Sequence, residues 1–153
     1  MKATTMNEAV VKSPLRISVV FLWIGFVCAI SFMEAWLKFQ APGITLSLGL
    51  GIGRLVFGAL NKVEIVFAFS LLISIISDEE IKTTASKILM LPLLILFTQS
   101  VWLLPALDAR AELYMLNHPP MSSNLHVYYV VAEVIKVCGL FAYGLQLFRS
   151  RTL

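Results

Sequence analysis

Apolar residues fall along this chain in four long blocks separated by short polar clusters, and the blocks are too continuous to be strands or one-sided amphipathic helices. The first extends from Leu15 to Leu37; Arg16 stands at its edge, and the stretch from Ile17 to Met33 carries no charge. The second is bounded by Arg54 and Ile76, interrupted by Asn61, Lys62 and Glu64, and preceded by the glycine-rich segment Gly49-Leu-Gly-Ile-Gly53. The third runs from Ile88 to Leu107 with Pro92 and Pro105 inside it, and the fourth from Leu125 to Phe148 with Glu133 and Lys136 inside it. A spanning helix needs roughly 20 apolar residues, so every block is long enough. Prolines near span ends are tolerated as kinks. Gln40-Ala-Pro-Gly43, Ser77-Asp-Glu-Glu80 and Asn117-His-Pro-Pro120 supply the breakers between blocks.

The pattern predicts an all-α fold, an integral membrane four-helix bundle in a single domain over 1–153, with spans at about 15–37, 54–76, 88–107 and 125–148. Composition agrees: 59% of the 153 residues are apolar and 14% charged, far from soluble averages. Little chain is left for a soluble domain. Lys and Arg are uneven across the flanks. Lys2, Lys12, Arg16, Lys82, Lys87, Arg149 and Arg151 belong to the two tails and the second loop, against Lys38, Arg54 and Arg110 elsewhere. That bias predicts both termini in the cytoplasm (N-in/C-in), in what reads as a bacterial inner membrane, with the first block retained as an uncleaved helix. The net charge of +3 is explained by these flanks and needs no nucleic acid. Cys28 and Cys138 form no C-x-x-C pair, so no redox motif is indicated.

Glu34, Glu64 and Glu133 then stand out, because a carboxylate in hydrocarbon is expensive and marks function by default. Helical phase groups them with other polar residues. Arg54, Asn61 and Glu64 share a stripe on the second span, with Lys62 nearly opposite; His126, Tyr129, Glu133 and Lys136 share one on the fourth. Ser31, Glu34 and Lys38 align on the first, and Gln99, Trp102 and Ala106 on the third. All four stripes are expected in the outer half of the bundle, around one polar chamber that Trp102 helps to wall, above an inner half of nearly pure hydrocarbon. Trp36, Tyr114, Tyr128 and Tyr129 read as an aromatic belt.

The chemistry of such a chamber is open. Glu34, Glu64, Glu133 and His126 are ligands suited to iron, manganese or zinc, but no Glu-x-x-His pair of the bundle dimetal type is present, and His126 and Glu133 lie about 10 Å apart along their helix. His118 sits beside Pro119, which leaves His126 alone as a haem ligand. No Ser or Cys pairs with a His and an acid at a diagnostic spacing. The cofactor is therefore unknown. The glycine segment lacks the strand and spacing of a nucleotide loop; its small-xxx-small step points to close helix packing or a homodimer. Ala132-Glu-Val-Ile135 resembles the surroundings of the intramembrane glutamate of small four-helix multidrug exporters, but it covers four residues and lies in the last span instead of the first. No family is assigned on it.

Three functional classes fit. One is a proton-coupled binder or carrier of a small polar or amphipathic solute, with Glu64 and Glu133 holding the proton, Arg54 and Lys136 as counter-ions and His126 as relay at the mouth. A second is an intramembrane enzyme acting on a lipid-like substrate, with or without metal. A third is a non-catalytic helper subunit whose polar stripes meet a membrane partner. The expected partners are the lipid bilayer and a small solute or lipid-like ligand.

Overall fold

The computed structural model describes residues 13–77, 84–118 and 120–149. Lys2, Lys12, Asp78-Glu79-Glu80, Lys82, Pro119 and Arg151 lie outside the described residues, as does the side chain of Arg149. Among the described residues four helical rods make up the fold: α1 (Pro14–Gln40), α2 (Leu46–Ser77), α3 (Thr84–Met115) and α4 (Leu125–Arg149). Each is long and apolar enough to cross a membrane. Their inward residues, among them Val20, Trp23, Val27, Leu71, Leu89 and Leu140, form one core. Much apolar surface faces outward, as with Leu55, Ile73, Phe97 and Val101, each more than half exposed. A water-facing protein rarely shows so much.

The rods form a ring in chain order, α4 closing against α1. The packing is uneven. α3 lies close to α4 along Thr84–Thr98, whereas α2 lies close to α3 mainly along Leu104–Met115. The α3–α4 approach is set by Gly139, where an added Cβ would stand 2.9 Å from the Cγ of the buried Pro92 ring.

Two wide π-turns interrupt the rods, at Cys28–Glu34 in α1 and Gln99–Leu103 in α3. An i→i+5 turn shifts the phase of everything beyond it. Pro105 follows closely on the second of these, so the wide turn lies where proline removes a donor from the helix ladder without ending the rod. α3 therefore continues to Met115, beyond the expected end at 107. Its end is a Schellman motif: Asn117 adopts φ 59°, its N–H bonds Tyr114 O at 3.2 Å, and the His118 N–H bonds Leu113 O at 3.0 Å.

α2 also begins earlier than expected, at Leu46 instead of Arg54. The glycine segment is helical. A Cβ at Gly49 would lie 2.2 Å from Phe39 Cε1, and one at Gly53 3.0 Å from Lys38 Nζ, so the glycines admit the end of α1 onto α2. They are packing positions.

The end opposite the Phe39 contact is not pure hydrocarbon. Arg16, counted above as a flanking charge, is only 1% exposed; its Nε donates to Ser74 Oγ at 2.9 Å and its Nη2 to Ser74 O at 2.7 Å, tying α1 to α2. A long side chain at a span edge can fold inward as readily as outward when a hydroxyl and a carbonyl wait there.

Overpacking a close helix contact costs roughly 1–3 kcal/mol. Gly139→Val is therefore expected to lower the midpoint of thermal unfolding in detergent, followed by circular dichroism. Gly58→Ala, where a Cβ meets nothing within 4 Å, is expected to leave it unchanged or raise it.

Candidate functional site

A fully buried ionic centre lies at the middle of the bundle. Lys136 is contributed by α4, and its ammonium faces a glutamine carbonyl and two carboxylates from three helices. It donates to Gln99 Oε1 at 2.8 Å, pairs with Glu64 Oε1, and lies 3.0 Å from Glu133 Oε2. Glu64 Oε1 also accepts from Trp23 Nε1 at 2.8 Å, which brings in α1, and Gln99 Nε2 donates to Glu133 Oε1 at 3.2 Å. Gln99 thus serves both charges, its carbonyl facing the ammonium and its amide a carboxylate. Glu64, Gln99, Glu133 and Lys136 are each at most 2% exposed.

The four residues are buried because their helices turn them inward. Glu133 and Lys136 stand three apart on one face of α4, and the inward stripe of α2 runs Leu60, Glu64, Ala68, Leu71. Gln99 is the first residue of the α3 π-turn. It lies 15 residues from Thr84 and 16 from Met115, close to the helix centre and deeper than an outer-half chamber requires.

Charge counting makes this centre unusual. Two carboxylates face one ammonium, so with all three ionised the core carries one excess negative charge. Removing two charges from water costs several kcal/mol per ion and is offset only by close pairing and further hydrogen bonds. Glu64 has such bonds. Glu133 is less well served, since its Oε2 lies near Lys136 but accepts no aligned hydrogen bond.

Toward the α1–α2 turn, a cavity of about 610 Å³ opens beside the centre. Its walls include Lys38 and Phe39 of α1, Arg54 and Phe57 of α2, Asp108 of α3 and His126 of α4. Tyr129 connects the two regions: it lines the cavity, is 3% exposed, and has Glu133 and Glu64 as electrostatic neighbours. Its ring meets that of Phe57 edge-on at 5.4 Å. Lys38 pairs with Glu34 at 3.1 Å and lies 5.3 Å from the centre of the Phe57 ring. Arg54 pairs with Asp108 through Nε and reaches Glu112 at 3.7 Å through Nη1.

The sequence-derived candidates therefore divide. Glu64, Gln99, Glu133 and Lys136 form the centre; Arg54, His126 and Tyr129 line the cavity. Asn61 does neither, and instead donates to Ser100 Oγ at 2.7 Å between α2 and α3. Glu34 is partnered by Lys38 away from the other two glutamates. Trp102 does not wall the chamber: it is 56% exposed and points outward. The π-turn explains this, because the wider turn breaks the three-residue alignment with Gln99 that a regular helix would keep. Lys62 is exposed, opposite the buried Glu64. Among the described residues, no three His, Cys, Asp or Glu side chains are grouped to hold a metal ion; Lys136 stands where a cation between Glu64 and Glu133 would.

Trp23 and Arg16 were missed. The signal for Trp23 was available, since an indole N–H in the middle of an uncharged span needs an acceptor. No known family model, curated protein or solved structure matches this chain.

Breaking a buried ion pair by removing one partner costs about 3–5 kcal/mol. Lys136→Met is expected to destabilise the protein by that order in detergent unfolding. Adding Glu64→Gln and Glu133→Gln to it is expected to recover much of the loss, because the stranded carboxylates are gone. Trp23→Phe, which removes one donor and leaves one acceptor, is expected to cost about 1–3 kcal/mol in the same measurement.

Proposed function

We propose that the protein resides in a membrane and binds or carries a small amphipathic solute in the cavity lined by Arg54, His126 and Tyr129, with the occupancy of the cavity linked to one proton on the buried centre. The observation that carries this reading is the charge imbalance: Glu64 and Glu133 share the single ammonium of Lys136 with water excluded. One proton on the carboxylate pair makes the centre neutral, and its loss leaves a buried negative charge. Such a group responds to any ligand that changes the field or hydration beside it.

Tyr129 provides the route for that response. It contacts the cavity on one side and Glu133 on the other, so a solute that displaces water or shifts the phenol alters the surroundings of the carboxylate. His126, at the cavity wall, is suited to exchange the proton with solvent. The apolar outer surface of all four helices supports residence in lipid. We place both termini on the cytoplasmic side, from the distribution of Lys and Arg.

The test is binding of a fluorescent fatty-acid analogue to protein reconstituted in liposomes, measured from mildly acidic to mildly alkaline buffer. Wild-type affinity is expected to vary with pH by several-fold. In Glu133→Gln the centre is Glu64 with Lys136, neutral without a proton, and the pH dependence is expected to vanish while binding persists. An unchanged pH profile in a folded Glu133→Gln protein contradicts the reading.

A further inference from the structure

A second concavity bears on what the cavity takes. Between α2 and α3 runs a groove of about 350 Å³ lined by Ile65, Ala68, Phe69, Leu72, Leu93, Leu96 and Phe97, with Ser100 as its single polar lining residue. Ser100 also lines the 610 Å³ cavity. Ser100 is thus a wall shared by the groove and the cavity; its Oγ accepts from Asn61, which bridges α2 to α3 there, and donates to Leu96 O. The groove exists because α2 and α3 pack together mainly along Leu104–Met115 and separate along Thr84–Thr98, where α3 turns to α4. Its flanks, Phe69 and Phe97, are 61% and 66% exposed on the outer surface of the bundle.

We propose that this groove is the lateral entrance and tail site of the cavity, and that the ligand is an alkyl-chain amphiphile whose head is a group of acceptor oxygens, a carboxylate or a phosphate. The inference rests on the reading of the cavity as a ligand chamber and names what enters it. The wall from Ile65 to Leu72 spans about 10 Å along the helix and offers a chain nothing but hydrocarbon until Ser100. Beyond Ser100 the lining carries the donors Lys38, Arg54 and His126 against Asp108, while the Tyr129 phenol is engaged with Glu133. Lys38 is paired with Glu34, and Arg54 with both Asp108 and Glu112, so what each cation offers a ligand oxygen is its remaining N–H groups. An apolar tail and an acceptor head thus match two adjoining regions in that order. A soluble polar solute would use the cavity and leave the groove to lipid.

Photolabelling of the full-length wild-type protein in liposomes tests this. Three probes carry the same diazirine-bearing alkyl chain: a fatty acid, a lysophospholipid, and an uncharged alkane, with adducts mapped by peptide mass spectrometry. Adducts from the headed probes are expected to concentrate at least several-fold in the peptides holding Ile65–Leu72 and Leu93–Phe97 over equally exposed peptides. Unlabelled amphiphile with the same head is expected to compete them away, and the stronger of the two heads identifies the source as free acid or phospholipid. Adducts spread over the outer surface in proportion to exposure overturn the proposal, as does equal groove labelling by the headless alkane. Repeating the labelling on Glu133→Gln separates the two readings. Groove adducts with the pH dependence gone support both, and groove adducts with the pH dependence intact sink only the proton reading.

Discussion

The fold is organised around one ammonium group. Lys136 Nζ, without access to water, binds a glutamine carbonyl and two carboxylates, and through them α4 is tied to α2 and α3. The Trp23 indole extends the same network to α1. If the bundle resides in lipid, as proposed, apolar burial does little to choose one helix arrangement over another, because lipid tails are as apolar as leucine. A network whose members each lose several kcal/mol when left unpartnered does choose. The depths of the four helices relative to one another follow from it.

What the network leaves unfilled follows too. The centre draws the helices together at their middles, Gly139 and Pro92 close α3 on α4 on one side of it, and Gly49 and Gly53 close the end of α1 on α2 on the other. α3 cannot lie close to both neighbours along its full length, so it leans to α4 first and to α2 afterwards. One consequence is the cavity above the centre and another is the groove beside it. The π-turn at Gln99–Leu103 lies where α3 changes neighbour, and it delivers Gln99 into the centre while sending Trp102 out. At the far end, Arg16 fastens α1 to Ser74 and stops the bundle from opening there.

Much of this was legible in the residues. The four blocks gave four rods, and three-residue spacing placed Glu133 with Lys136, because those signals depend only on local helical period. Where the period breaks, inference from spacing failed. Trp102 was assigned to the Gln99 face because nothing in Gln-Ser-Val-Trp-Leu announces a π-turn. The small-xxx-small step of the glycine segment pointed to close packing, but that the end of α1, with Phe39 and Lys38, is what lies across it depends on residues distant from the step itself. Arg16 has a stem long enough to reach solvent or core, and the choice was made by Ser74, distant in sequence. Glu34 resembled Glu64 in the sequence, yet its own helix supplied Lys38 one turn away and kept it from the centre.

The central claim is that the pair Glu64 and Glu133 holds a single exchangeable proton beside Lys136. Infrared spectroscopy of the protein in lipid, which separates the stretch of a protonated carboxyl group from that of a carboxylate, addresses it directly. The account predicts one protonated carboxyl group in the wild-type protein, its stretch shifting on transfer to heavy water, and its loss in Glu133→Gln. Two ionised carboxylates at every buffer condition in which the protein stays folded, or a signal that is the same in Glu133→Gln, would contradict it.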